Sequence, residues 1–198
     1  NPREAQFLGA MDENVAIGWQ EYHGLKLSAQ RRSANGLSLN ANYTLSRCIG
    51  TDTPNTFNQI SSGYVKPGDP EYDKGYCSQD HRHLATVTLG AESPELSGPL
   101  GALASGWRAS GIVNIRDGNR INIITGQDNA FTGVRNQRPN KVGDQLYASP
   151  QTLTTYSNIA PYAPPAAGTY GDLPRNAVQG PAYWNVDRLH SAARVSST

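Results

Sequence analysis

Residues 22–49 read YHGLKLSAQRRSANGLSLNANYTLSRCI, and their apolar side chains recur at every second position. Leu25, Leu27 and Ala29 alternate with Lys26, Ser28 and Gln30. Further on, Leu37, Leu39, Ala41, Tyr43 and Leu45 alternate with Ser38, Asn40, Asn42, Thr44 and Ser46. A period of two predicts strands, because successive side chains of a pleated strand point to opposite faces. Between the two runs stands Asn35-Gly36. Both residues tolerate the positive φ of a tight two-residue hairpin turn. The stretch therefore predicts an antiparallel hairpin with strands over 22–32 and 37–49.

The same rhythm extends outward. Ala85, Val87, Leu89 and Ala91 share one face of a third predicted strand over 83–92. Trp107, Ala109, Gly111, Val113 and Ile115 alternate with Arg108, Ser110 and Asn114, predicting a fourth over 106–116. Asp117-Gly118-Asn119 reads as a second tight turn leading into a fifth strand over 120–125. Shorter strands are expected at 146–148 and 183–186. Residues 1–20 show no clean period and read as a lead-in. Residues 50–80 hold three prolines and four glycines and predict a long polar loop without regular structure. Loops of more than about 15 residues inside a domain are usually functional or mobile. Residues 93–104 read as a connector. Only 188–198 (RLHSAARVSST) has a helix-like composition, and it is short.

Composition narrows the class. The 198 residues fit one domain or a piece of a larger one. Hydrophobic residues make up 37% and charged residues 17%, too few of either for the stripes and faces of a helical bundle. A net charge of +1 is unlike the high charge of typical disordered chains and gives no support to electrostatic nucleic-acid binding. The 20 glycines have no three-residue period, which excludes collagen. No run of 18 apolar residues predicts a transmembrane helix. The chain opens on Asn1 rather than Met, which reads as a processed or internal start. What remains is an all-β chain built from antiparallel hairpins.

Alternation has two explanations. A soluble β-sandwich buries one face of each sheet and wets the other. A transmembrane barrel turns its apolar face to lipid and its polar face to the lumen. Periodicity leaves both open. Three features favour the barrel: strand lengths near the 9–11 residues or so of a tilted bilayer crossing, short turns alternating with a long loop, and aromatic residues at Tyr22, Tyr43 and Trp107 in or near the strand ends.

A succession of motifs then carries a resemblance. Tyr22-His23-Gly24-Leu25, Gln30-Arg31-Arg32, Gly36-Leu37 and Asn42-Tyr43-Thr44 precede Ser46, with Leu45 where the pattern has Trp. Cys48, the long loop, Cys77 and Asp80-His81-Arg82-His83 follow, then Gly106-Trp107-Arg108 with Ser110-Gly111-Ile112. Residues 136–140 (NQRPN), Gly168-Thr169-Tyr170-Gly171, Arg175-Asn176, Gly180-Pro181 and Asn185-Val186-Asp187 complete the series. In this order they resemble the C-terminal barrel of large TonB-dependent, carboxypeptidase-regulatory-like (Oar-type) outer-membrane receptors, of the kind abundant in Acidobacteria. The resemblance covers residues 1–187, which form one β-rich domain or barrel fragment. Residues 188–198 depart from it and read as a tail left by truncation or a shifted frame. It implies a bacterial outer-membrane location, binding and uptake of an unknown extracellular substrate, contact with outer-membrane lipid, dependence on TonB through regions of the parent protein outside this chain, and no catalysis, cofactor or nucleic acid. A fragment folding alone would instead be soluble or extracellular.

The candidate chemistry is sparse. Cys48 and Cys77 bracket the long loop, and the extracellular location favours a disulfide over two buried thiols. Asp80-His81-Arg82-His83 places two imidazoles two residues apart, yet no acidic residues at metal-ligand spacing accompany them, so no metal is expected. Asp52, Asp69, Glu71 and Asp73 make the loop acidic without the spacing of an EF-hand. The alternative function is a small soluble all-β hydrolase, in which Ser78, Asp80, His81 and His83 would supply nucleophile, orienter and base. No Gly-x-Ser-x-Gly elbow supports it.

Overall fold

The pairing of alternating strands organises the chain. In the computed structural model residues 16–51, 63–66, 68–94, 97–98, 105–152 and 154–192 are described. Five long strands, β1 (Gln20–Ala34), β2 (Leu37–Gly50), β4 (His83–Glu92), β5 (Trp107–Arg116) and β10 (Tyr183–Ala192), lie in the order β1-β2-β4-β5-β10. A two-residue β3 (Gly75–Tyr76) pairs with the end of β2. Four more two-residue strands form two small ladders: β6 (Arg120–Ile121) with β9 (Val178–Gln179), and β7 (Asn140–Lys141) with β8 (Tyr162–Ala163). No α-helix occurs among the described residues. The main sheet is antiparallel and does not close on itself.

The hairpin forms as its sequence dictates. Asn35 (φ 52°) and Gly36 (φ 76°) supply the two left-handed residues of the turn. Gly36 also packs so closely on the Glu92 carbonyl that a β-carbon there would overlap it.

Four expectations need correction. The fifth strand, expected over 120–125, is only Arg120–Ile121. Asn-Ile-Ile after Ile121 breaks the alternation, and Thr125 N donates to the Gln137 carbonyl at 2.8 Å. Asp117-Gly118 consequently opens a long connection to β10 and is not a hairpin turn. The strand expected at 146–148 reduces to one bridge between Tyr147 and Ser157. The polar loop over 50–80 carries a 3-10 turn at Pro70–Asp73 besides β3, with 52–62 and 67 outside the described residues. Lastly, the strand expected at 183–186 continues to Ala192, into the segment read as a tail of helix-like composition. The backbone of β5 offers a free edge over this whole length, and Arg188 to Ala192 pair with Gly111 to Trp107 along it whatever their side chains. Residues 193–198, and 1–15 of the lead-in, lie outside the described residues.

The chain divides into two units. The sheet unit comprises Tyr22–Arg47, Gln79–Arg120 and the chain from Gln179 on. The loop unit comprises the chain up to Glu21, Cys48–Ser78 and Ile121–Val178. Buried side chains concentrate in the loop unit: Cys48, Val65, Cys77, Leu173 and Val178, with the polar Asp73, Gln137, Arg138, Arg175 and Asn176. In the sheet unit Asp80 is the one buried side chain among the described residues.

Candidate functional site

The cross-strand register sorts the sheet into two chemically distinct faces, since directly opposed residues share a face. On one face run four rows: Tyr43-Ala85-Ile115-Trp184, Ala41-Val87-Val113-Val186, Leu39-Leu89-Gly111-Arg188, and Leu37-Ala91-Ala109-His190. Trp107 lies one step beyond the last row, opposite Ala192. Except at Arg188 and His190 these rows are apolar. They are also uncovered: Leu89 is 46% exposed, Trp107 51% and Trp184 70%. A soluble sandwich would bury such a face beneath a second sheet, each Leu or Val burial contributing about 1.5–3 kcal/mol. The sheet unit has no second layer among the described residues.

The opposite face is mainly polar, with Leu84, Ile112 and Leu189 among its residues. Asn42, Thr86, Asn114 and Asn185 form a row across four strands. Ser28 Oγ donates to Asn42 Oδ1 (2.8 Å), Asn42 Nδ2 to Asn40 Oδ1 (3.1 Å) and Thr86 Oγ1 to Asn114 Oδ1 (3.0 Å). The Ser28 contact places Lys26 and Gln30 of β1 on this face and Leu25 and Leu27 on the other, because β1 also alternates.

The two ends of the sheet differ as well. At one end β1 and β2 join through Asn35-Gly36, and β4 and β5 through residues 93–106. At the other, residues 51–82 link β2 to β4 and residues 117–182 link β5 to β10.

Those long connections supply most of the loop unit, which is held together by specific polar contacts. Cys48 and Cys77 form a disulfide with Cα atoms 5.4 Å apart, and Gln20 Nε2 donates to both sulfurs (2.8 and 3.0 Å). Arg138 is the centre of the unit. Its Nη1 pairs with Asp73 Oδ1 (2.5 Å), its Nε donates to the Leu173 carbonyl (2.8 Å) and its Nη2 to the Tyr72 carbonyl (2.6 Å). The guanidinium also stacks 4.1 Å from the Tyr72 ring centroid. Burial raises the Tyr72 phenol above its ordinary value. Asp73 Oδ2 in turn accepts from Val65 N at 2.7 Å. A second knot forms around Asp128, whose carboxylate accepts from the backbone N–H of Thr132 and Gly133 and from Gln137 Nε2. These donors, led by the Thr132 N–H, hold its carboxyl below the usual range. Lys66 and Asp69 pair at 2.7 Å on the surface, and their hydrogen bond raises the one and lowers the other.

The Asp80, His81 and His83 side chains proposed for hydrolysis are each engaged elsewhere, although Asp117 meets both the His81 ring and, through its carboxylate, the His83 backbone N–H at 3.2 Å. Asp80 forms an ion pair with Arg120 Nε at 3.0 Å, largely shielded from water. His81 Nδ1 donates to the Asp117 carbonyl at 2.9 Å. His83 lies on the apolar face, where its Nδ1 shares a hydrogen bond with the Tyr43 hydroxyl at 2.7 Å. Ser78 lies in an exposed turn of the loop unit. Asp80, His81 and His83 are not brought onto one another. The acidic loop residues are likewise engaged: Asp69 by Lys66, Glu71 by Trp19 Nε1 (2.7 Å) and Asp73 by Arg138, with Asp52 outside the described residues. No cluster of three metal-ligating side chains occurs among the described residues. The residues missed from sequence are Arg138, Gln137 and Asp128. Only the NQRPN motif at 136–140 marked the place, and it gave no role.

An antiparallel sheet with one uncovered apolar face, one mainly polar face, and shorter connections at one end than at the other is the wall of a transmembrane β-barrel. A family model described as the outer membrane beta barrel domain matches residues 1–189, and the chain belongs to that family. It is a bacterial outer-membrane protein. No curated protein matches it, and no solved structure does.

Proposed function

We propose that this chain is a barrel segment of a TonB-dependent, Oar-type receptor, which binds an extracellular substrate at the loop unit and admits it along the polar face of the sheet without chemically altering it. One observation carries the reading. The connections between β2 and β4 and between β5 and β10 are long, and they fold into a unit braced by a disulfide and a buried ion pair. A pore that only passes small solutes has no need of so ordered a receptor surface. The motif series of residues 22–187 supports the same family. A non-catalytic role agrees with the side chains of Asp80, His81 and His83 bonding to Arg120, the Asp117 carbonyl and the Tyr43 hydroxyl and not to one another. Five long strands are fewer than the smallest known barrels of about eight, so the wall is completed by strands beyond the five.

The test is uptake by cells producing the membrane-embedded receptor, with and without TonB. Accumulation of a substrate that needs both proteins supports the proposal. Accumulation that persists without TonB makes the protein a passive pore and ends it. Turnover of an ester, lactone or glycoside by the purified chain, lost in a His81→Ala/His83→Ala variant, would end the non-catalytic part.

A further inference from the structure

The lower part of β10 places ionisable side chains in the otherwise apolar rows at the centre of the sheet. Through Asp187 the strand alternates correctly: Trp184 and Val186 share the apolar face, Asn185 and Asp187 the polar one. Beyond it, Arg188 lies opposite Gly111 and His190 opposite Ala109, both on the apolar face, while Leu189 falls on the polar face opposite Ser110. Both cationic-type side chains are exposed, and neither has an ion-pair or hydrogen-bond partner among the described residues.

No carboxylate stands in the four rows of that face. Its nearest neighbours are Ala109, Gly111, Leu89 and Ala91. The nearby carboxylates belong to the other face, where Glu92 pairs with Arg108 at 3.2 Å and Asp187 accepts from Asn185 Nδ2 at 3.1 Å. A guanidinium facing hydrocarbon is costly, and such groups reach for the headgroup level to find an anion. The geometry allows this. Trp107, an interface-type aromatic, sits opposite Ala192, four residues from Arg188. That is about 13 Å along the strand and less in depth once the strand tilts. Directly opposite Arg188 stands Gly111, which has no side chain, and opposite His190 stands the small Ala109.

We propose that Arg188 and His190 form a binding site for the phosphate of an anionic membrane lipid, on the lipid-facing side of β10 at the end of the sheet that carries the Asn35-Gly36 turn. Arg188 meets the phosphate with its planar pair of N–H donors, and His190 adds a ring N–H. The acyl chains lie on Leu37, Leu39, Leu89 and Trp107. A lipid suits the site better than a protein partner because these charges stand in an otherwise apolar surface. The proposal rests on insertion of the sheet in the membrane and is independent of the uptake role.

Quenching of Trp107 and Trp184 tests it. The full 198-residue chain is placed in phosphatidylcholine vesicles carrying acyl-brominated phosphatidylcholine or acyl-brominated phosphatidylglycerol. Brominated phosphatidylglycerol is expected to quench at a mole fraction lower by about fivefold per engaged cation. Arg188→Gln with His190→Gln should abolish that preference and leave quenching by brominated phosphatidylcholine unchanged, while Arg188→Lys keeps part of it. Millimolar inorganic phosphate should not compete; if it removes the preference, the site takes phosphate in general and the lipid assignment is wrong. Equal quenching by both lipids in the unaltered chain overturns the site while leaving the membrane wall intact. No quenching by either lipid shows a sheet outside the bilayer and overturns both.

Discussion

The two units solve the problem of unsatisfied polar backbone in opposite ways. In the sheet unit the ladder between neighbouring strands pairs the backbone, and its side chains need only alternate; among the described residues none but Asp80 is buried. In the loop unit the chain is irregular, so side chains must meet backbone groups one by one. Arg138 alone bonds two carbonyls and one carboxylate, and Asp128 receives two backbone N–H groups. An external solvent, lipid, can stand in for a core when the backbone is regular. Where the backbone is irregular the protein must build its own interior, and here that interior is largely polar.

The contrast can be broken most severely at Arg138. Replacing it by Met leaves the Asp73 carboxylate buried without its partner, a loss expected to cost about 3–5 kcal/mol. Hydrogen exchange should accelerate throughout Ile121–Val178 while the β4–β5 ladder stays protected; a uniform loss of protection in both would show that the units do not behave separately. Next comes the disulfide. Changing Cys48 and Cys77 to Ser opens a loop of 29 residues' separation and should cost about 3–4 kcal/mol by denaturant titration. Titration of the denatured, unreduced protein should find no free thiol, and two reactive thiols would refute the bond. On the sheet, Leu89→Arg should destabilise the lipid-embedded protein by about 2–4 kcal/mol. The adjacent Thr88→Arg, on the polar face, should change it by only about 0.5 kcal/mol. Equal effects would erase the distinction between the faces. The smallest effect is expected at Asp128. Its carboxyl is held low in the folded chain, so its stabilising contribution is complete above the ordinary aspartate value of about 3.9 and fades as pH falls through the depressed one. Exchange at the Thr132 and Gly133 amides should therefore quicken only below about pH 4, and Asp128→Asn should quicken it at neutral pH.

Legibility in the sequence follows the same division. The hairpin, β4 and β5 were readable because a lipid- or solvent-facing strand writes its period directly into residue order, and because Asn35-Gly36 admits few other turns. Cys48 and Cys77 could be paired because both flank a single loop. Arg138 was unreadable because its partner Asp73 lies 65 positions away and carries no periodic signature. The lower half of β10 was unreadable for a different reason: backbone pairing followed the free edge of β5, against the evidence of Arg188 and His190. Arg120–Ile121 shows the converse, a strand expected from β-branched composition and cut short where alternation failed.

The strand order has an arithmetical consequence. Neighbours in the main sheet run in opposite directions, so with five members β1 and β10 point the same way. Joining those two edges directly, within one sheet or between successive copies of it, would make a parallel seam. Bacterial single-chain barrels are antiparallel throughout and hold an even number of strands. For such a wall to close, the strands beyond the five described ones must therefore be odd in number, at least about three for the smallest known closure. Any reconstitution that supplies an even number will leave either a mismatched seam or an open slot.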